Sequence, residues 1–184
     1  MRDSGKEDLR VIKTRAAIHA AFTGLAGEKD FAAVTVKDIC ERAMINKKTF
    51  YCHYLNLEAL LAATLESLSA GFAQQVRTEG LAPGDVAAAF LAFAARQGDA
   101  YARLLAGASA GLGSKLALPA LERALEATPE ARRLPEAERA LAVAAWVAVC
   151  TGLFRQWAQS GRAVPADKLA RLARALVMQG AGGL

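Results

Sequence analysis

The segment Thr35–Tyr54, TVKDICERAMINKKTFYCHY, contains two short helical patterns separated by a tight turn. Thr35 is a residue type that caps a helix by accepting a backbone N–H bond, and Asn46 is suited to cap a second helix. Apolar side chains recur at helical spacing after the first cap, and the second helix has Phe50 as its apolar contribution. The segment therefore predicts two helices packed closely together at the small residue Ala43.

The second helix, called the reading helix below, presents a basic and aromatic surface. No acidic residue lies between Arg42 and Tyr54. Such a surface suits a phosphate-lined major groove. A generic helical hairpin with a solvated lysine face is the alternative, but the caps, turn and aromatic positions all coincide with one DNA-binding motif. The outward residues are Lys47, Lys48, Thr49, Tyr51 and His53.

The segment resembles the helix-turn-helix of the tetracycline-repressor (TetR) family of bacterial transcriptional regulators, which typically reads T-V-x-x-I-A-x-x-A-G-V-S-x-G-T-L-Y-x-H-F-x-S-K-E-x-L-L. The resemblance extends back through Thr14–Asp30 and forward to Leu61. Identical or similar residues occupy the positions of Thr35, Val36, Ile39, Ala43, Thr49, Phe50, Tyr51, His53, Tyr54, Glu58, Leu60 and Leu61.

Three positions depart from the family pattern. Met44 stands where a turn glycine is usual, and Met tolerates a positive φ poorly. Lys48 replaces a common small residue. Leu57 replaces a lysine that often touches phosphate in relatives, so one phosphate contact is expected to be missing.

The resemblance implies a homodimer that presents two reading helices to double-stranded DNA. They would lie one DNA turn apart, about 34 to 36 Å, so the operator should be palindromic. Lys47, Lys48 and Thr49 are expected at or beside base edges. Thr35, Tyr51, His53 and Tyr54 are expected mainly to hold phosphates.

Composition agrees with a folded helical protein. The chain has 184 residues, of which 54% are hydrophobic and 22% charged, with a net charge of +5. We expect a helix-turn-helix domain over residues 1–56 and a helical effector-binding and dimerisation domain over residues 57–184.

Several classes of site are not supported by the sequence. Three widely spaced cysteines and two histidines predict neither a disulfide framework nor a metal site. No catalytic cluster or cofactor motif is recognisable, so we expect no enzyme activity and no cofactor. The first residues are polar and charged, so we expect no secretory leader. The uncharged stretch Ala140–Phe154 is too short for a membrane span and is expected to be a buried helix. We expect a cytoplasmic protein with no membrane partner.

The pattern predicts an all-α fold of about nine helices. Gly107–Ser114 is expected to be a loop, and Thr128, Pro129 and Pro135 are expected to bracket a polar connection. The predicted helices after the motif span about 57–79, 83–97, 100–106, 119–127, 136–159 and 166–178.

The long helix over 136–159 has two apolar faces. A face with large residues suits the core, whereas a stripe of mostly small side chains suits a second copy of the chain. The predicted dimer interface consists of Leu141, Ala145, Val149 and Gly152, with Leu172 and Leu176 from the final helix.

Several residues of the C-terminal half could line a ligand cavity or fill the core. The TetR resemblance implies a pocket between the central helices for a small-molecule effector, whose identity the sequence does not give. The candidate pocket residues are Phe90, Phe93, Tyr101, Trp146, Cys150 and Phe154. We therefore expect a ligand-responsive regulator, most simply a repressor. The alternatives are a helical ligand-binding or scaffolding protein without operator recognition, and a small helical enzyme.

Overall fold

The computed structural model describes residues 9–107 and 119–181, and every regular element in these ranges is helical. The all-α prediction is confirmed. Ten α-helices are described, against the expected nine or so, with a 3-10 turn at Phe31–Ala33. The helices are α1 (Leu9–Glu28), α2 (Val36–Arg42), α3 (Lys47–His53), α4 (Leu57–Gln75), α5 (Pro83–Arg96), α6 (Gly98–Gly107), α7 (Pro119–Glu126), α8 (Pro129–Arg133), α9 (Glu136–Gln159) and α10 (Ala166–Ala181).

One hydrophobic core runs through both halves of the chain. In the N-terminal half, α1 contributes Ile18 and Phe22, α2 contributes Ile39 and α3 contributes Phe50, and all four side chains are fully buried. Burial of each such side chain contributes about 1.5–3 kcal/mol. Because α2 and α3 have seven residues each, tertiary packing rather than intrinsic propensity must hold them helical.

In the C-terminal half, α5 packs along α10. Gly84 permits this approach, because a Cβ there would lie 2.5 Å from Met178 Cγ and 2.9 Å from the Arg174 carbonyl oxygen. Asp85 also pairs with Arg174 Nε at 3.0 Å. The close contact fixes α10 beside α5 and leaves one face of α10 outward.

α9 spans Glu136–Gln159, as predicted, but it is buried on one face only. It is the single described helix long and apolar enough to cross a membrane, with 22% of its most apolar 18-residue window buried. A core helix of a soluble protein can be equally long and apolar, and α9 packs on α5, α6, α7 and α10. Its buried residues are Val143, Trp146, Cys150, Phe154 and Trp157. The expectation of a buried helix over Ala140–Phe154 therefore holds for this face alone.

Other element boundaries depart modestly from the sequence prediction. α4 ends at Gln75 rather than near residue 79, and α6 begins at Gly98. The segment expected to be a polar connection after Thr128 is instead the short helix α8. Thr128 caps α8 by accepting the Ala131 N–H bond, and Pro129 occupies the first turn, where its missing N–H costs nothing. The predicted Gly107–Ser114 loop lies outside the described residues, apart from the last residue of α6.

Candidate nucleic-acid interface

A capping box fixes the start of α2. Thr35 Oγ1 accepts the Asp38 N–H bond at 3.2 Å, and the Asp38 carboxylate accepts the Thr35 N–H bond at 2.9 Å. Lys29, the residue after the end of α1, also donates to Asp38 Oδ2 at 2.8 Å. The Lys29 hydrogen bond, together with those from Thr35, lowers the pKa of Asp38 to about 2. Sequence reasoning found the cap but missed Asp38, although T-x-x-D is a variant of the capping-box signal.

The turn between α2 and α3 is a Schellman motif with methionine at the left-handed position. Ile45 donates its N–H to the Cys40 carbonyl at 3.0 Å, and Met44 donates to the Glu41 carbonyl at 3.3 Å. Met44 has a φ of +53° and a side chain that is 91% exposed. The turn therefore keeps the geometry that glycine usually supplies, and Met44 bears the strain.

Asn46 sets the start of the reading helix, α3. Its Oδ1 accepts the Thr49 N–H bond at 2.8 Å and the Thr49 hydroxyl at 3.1 Å. Phe50 is the one buried residue of α3, and the rest of the helix faces outward or is partly covered. Asn46 and Phe50 thus fix the helix in place and leave its polar side facing outward.

The structure brings most of the predicted DNA-facing residues onto this short helix. Lys47, Lys48 and Tyr51 are exposed, and Thr49 and His53 are partly buried. The Tyr51 ring, 55% exposed, stands edge-on to Phe50 at 5.5 Å between centroids. These five side chains, here called the α3 surface, combine two ammonium groups with an aromatic ring and an imidazole.

Two neighbouring basic residues serve other roles. Arg42 forms a two-pronged ion pair with Glu28, at 2.9 Å and 2.7 Å, which joins α2 to the end of α1. Lys29 holds Asp38. Arg42 and Lys29 are therefore engaged in ion pairs, whereas Lys47 and Lys48 of the α3 surface are exposed.

Tyr54, which the sequence predicts to hold phosphate, does not lie on the α3 surface. Only 6% of Tyr54 is exposed, and its hydroxyl lies 2.8 Å from His19 Nε2. It ends α3 as the C-cap, where the chain turns inward. Thr35 is exposed, but its hydroxyl is occupied by the capping box.

Apart from Tyr101, the candidate pocket residues are buried in the interior of the C-terminal half. Phe90 and Phe93 both pack on Phe72, at 5.4 Å and 5.6 Å between ring centroids. Tyr101 is partly buried, and burial raises the pKa of the Cys150 thiol to about 12. The two phenylalanines therefore fill core at their contact with Phe72. Trp146 and Phe154 are also buried.

The residues predicted for a dimer interface lie on an outward face. Leu141 is 74% exposed, Leu172 47% and Leu176 43%. Ala145 is exposed, Val149 and Gly152 are partly buried, and a Cβ at Gly152 would meet nothing within 4 Å. We call this set the α9/α10 face. Among the described residues, no group of three or more His, Cys, Asp and Glu side chains is placed to hold a metal ion.

Comparisons with known proteins agree with this geometry. Residues 17–64 match the family model described as bacterial regulatory proteins, tetR family. An uncharacterised HTH-type transcriptional regulator of Bacillus subtilis (strain 168), YxbF, is 42% identical over 60 residues, which are 32% of this chain and 16% of that protein. The matched segment thus spans a small part of that relative.

Solved structures share the fold over nearly the whole chain. A TetR transcriptional regulator from Streptococcus agalactiae 2603V is 23% identical with a TM-score of 0.66, covering 92% of this chain and 96% of that one. The fatty acid degradation regulator FadR from Bacillus halodurans is 16% identical with a TM-score of 0.68, covering 98% of both chains. Residues 17–64 of this chain therefore match the tetR family of bacterial regulatory proteins, and the chain shares its fold along nearly its whole length with solved tetR-type regulators.

Proposed function

We propose that the protein is a homodimeric, cytoplasmic DNA-binding transcriptional repressor that a small molecule releases from a palindromic operator. Residues 1–56 would form the DNA-binding domain, and residues 57–184 the effector-binding and dimerisation domain. The observation that carries the proposal is the α3 surface: a capped, core-anchored helix that exposes Lys47, Lys48 and Tyr51.

The chemistry of the α3 surface supports a division of labour on DNA. Lys47 and Lys48 stand in the first turn of α3, the end that helix-turn-helix proteins direct at base edges. A lysine there can donate to guanine O6 and N7, and the Thr49 methyl or the Tyr51 ring can touch a thymine methyl. The Tyr51 hydroxyl and His53 would mainly hold phosphates.

The α9/α10 face supports dimerisation. Contiguous exposed apolar surface is a mark of an interaction site in a soluble protein. The small side chains at Ala145 and Gly152 would let a second α9 approach closely, while Leu141 and Leu172 would be removed from water. Two copies of α9 and α10 would then form a four-helix interface with two-fold symmetry.

Release by a ligand requires two dimer arrangements with different affinities for it. A small apolar or amphipathic molecule entering near α5, α6 and α9 would favour an arrangement with the wrong separation of the reading helices. Three residues separate the end of α3 from the start of α4, and α4 runs into the C-terminal half, so α4 could transmit the shift. A ligand that binds the free and operator-bound forms equally would leave the equilibrium unchanged.

Selection of duplexes from a random pool, followed by fluorescence anisotropy across a salt series, tests the proposal. We expect a palindromic sequence to be enriched and its affinity to fall steeply with salt. Failure to enrich any sequence would favour a helical ligand-binding or scaffolding protein. Turnover of a bound compound would favour an enzyme.

The variant Lys48→Ala separates base reading from phosphate contact. We expect it to cost about 1–3 kcal/mol of binding free energy, with unequal losses across single-base variants of the duplex. A uniform loss would assign Lys48 to the phosphates. Arg123→Ala, at an exposed arginine of α7, removes the same charge away from both the reading helix and the α9/α10 face and is the matched control.

A further inference from the structure

The ring of His19 lies between the end of the reading helix and α4. Its Nε2 is 2.8 Å from the Tyr54 hydroxyl, and its Nδ1 is 3.1 Å from Thr64 Oγ1. His19 belongs to α1, Tyr54 caps α3, and Thr64 lies on α4. A single imidazole thus joins three helices of the chain, using both of its nitrogens.

The directions of these hydrogen bonds follow from their neighbours. The Leu60 carbonyl can only accept, so the Thr64 hydroxyl must donate to it, at 2.8 Å. Thr64 Oγ1 therefore accepts from His19 Nδ1–H. In the neutral ring Nε2 then accepts from the Tyr54 hydroxyl, so both ring nitrogens are hydrogen-bonded.

Tyr54 connects this ring to the position of the reading helix. Its backbone N–H donates to the Phe50 carbonyl at 3.0 Å, and its ring lies 6.0 Å from the Phe50 ring. Phe50 is the one buried residue of α3, so Tyr54 and Phe50 together hold the inner side of that helix. The TetR motif has phenylalanine at this position, so the hydroxyl is an addition in this chain.

We propose that His19, Tyr54 and Thr64 form a polar joint that fixes the C-terminal end of the reading helix against α1 and α4, with His19 as a positioning residue for operator binding. The inference rests on the proposed function. It extends that function, because it makes operator affinity depend on a side chain that does not face DNA. Tyr54 and Thr64 are 6% and 0% exposed, so water cannot readily replace a lost partner.

Protonation of His19 would weaken the joint. A proton on Nε2 makes this nitrogen a donor, so the Tyr54 hydroxyl has to turn and accept, and the hydroxyl proton then loses His19 as its acceptor. The added positive charge also lies beside Arg15, whose side chain is hydrogen-bonded to Tyr54. Burial, and then the Arg15 charge, lowers the pKa of His19, so the neutral ring prevails near pH 7. Acid should therefore weaken operator binding as the ring titrates.

The other groups around the ring do not offset this effect. Tyr54 faces it from the end of α3, and α4 presents the uncharged Thr64. The α2 charges lie elsewhere: Asp38 and Arg42 pair with residues near the end of α1, and Lys37 pairs with Glu41. α6 also packs on α1, and its Arg103 is exposed.

Because the chain has only two histidines, the variant His53→Gln leaves His19 as the sole imidazole. Anisotropy on the pool-selected duplex, measured from pH 7.5 downward as far as circular dichroism shows the protein folded, should show the affinity of this variant falling by up to about tenfold per pH unit once His19 becomes protonated. Adding His19→Gln, which keeps one donor and one acceptor, should retain the affinity and abolish the pH dependence. Adding His19→Leu instead should weaken binding about tenfold at pH 7.5.

The double variant His19→Leu/Tyr54→Phe separates positioning from simple packing. It removes the imidazole and the hydroxyl together and leaves no unpaired polar group, so its stability should stay close to that of the protein without these two changes. Its operator affinity should nevertheless stay as low as that of the His19→Leu variant. Circular dichroism at each pH confirms that the variants are folded. A flat pH profile for His53→Gln, or parental affinity for the double variant, would overturn the joint. If the unmodified protein prefers no duplex at pH 7.5, the proposed function itself fails, and this inference with it.

Discussion

Replacing Met44 by glycine should stabilise the protein. Met44 holds a φ of +53° in the turn between α2 and α3, a conformation that costs a residue with a Cβ about 1–2 kcal/mol. Its side chain is 91% exposed, so its removal forfeits almost no packing. Glycine adopts this backbone without strain but loses about 0.5–1 kcal/mol more conformational entropy on folding. The net gain expected from Met44→Gly is therefore about 0.5–1 kcal/mol.

Urea unfolding followed by circular dichroism measures this gain, at one fixed protein concentration because a dimer's stability depends on concentration. Met44→Ala is the matched control, since it removes the same exposed side chain but keeps the Cβ that causes the strain. The glycine variant should unfold at higher urea than both the alanine variant and the parent. If the glycine and alanine variants unfold together, the left-handed turn at residue 44 is not strained as described.

Three further predictions follow from the caps, the outer face of α9 and the cysteines. Thr35→Ala should lose about 1 kcal/mol of stability in urea unfolding. The pKa of Asp38 is lowered to about 2, so the carboxylate stabilises the fold fully above the ordinary pKa of 3.8 and loses this contribution as pH falls toward about 2. Acid titration followed by circular dichroism measures this loss. Leu141→Glu should convert a dimer to a monomer in sedimentation, whereas Ala70→Glu, on the exposed side of α4, should not; a dimer that survives Leu141→Glu would place the interface elsewhere. A thiol reagent should modify Cys52 alone in the native protein and all three cysteines after unfolding, because the other two are buried; fast reaction of a second thiol would contradict the fold.

The parts of the fold that sequence reasoning predicted well are those set by local chemistry. Thr35 and Asn46 each accept a backbone N–H at the start of the helix that they were predicted to cap. Asn56 caps α4 in the same way. A cap and the helix it begins lie within a few residues, so the signal is readable from the chain. The Thr128–Pro129 pair carried the same kind of signal for α8, but the prolines on either side were interpreted as a loop.

Nonlocal partners explain the misses. Tyr54 was expected to face phosphate because of its place in the motif, but its hydroxyl partner, His19, lies 35 residues earlier. Lys29 and Asp38 are likewise joined only once α1 and α2 pack. Neither pairing leaves a periodic trace in the sequence. The outward stripe of α9 could be predicted because helical periodicity shows which residues share one face of a helix. Periodicity does not show what packs against that face.

The spacing between the two halves of the selected duplex tests the central claim most directly. Two reading helices carried by a symmetric dimer should require half-site centres about 10 base pairs apart, one turn of DNA. Inserting about 5 base pairs turns one half-site to the opposite side of the duplex, so affinity measured by anisotropy should drop to that of a single half-site. Undiminished binding to the lengthened duplex would contradict the account.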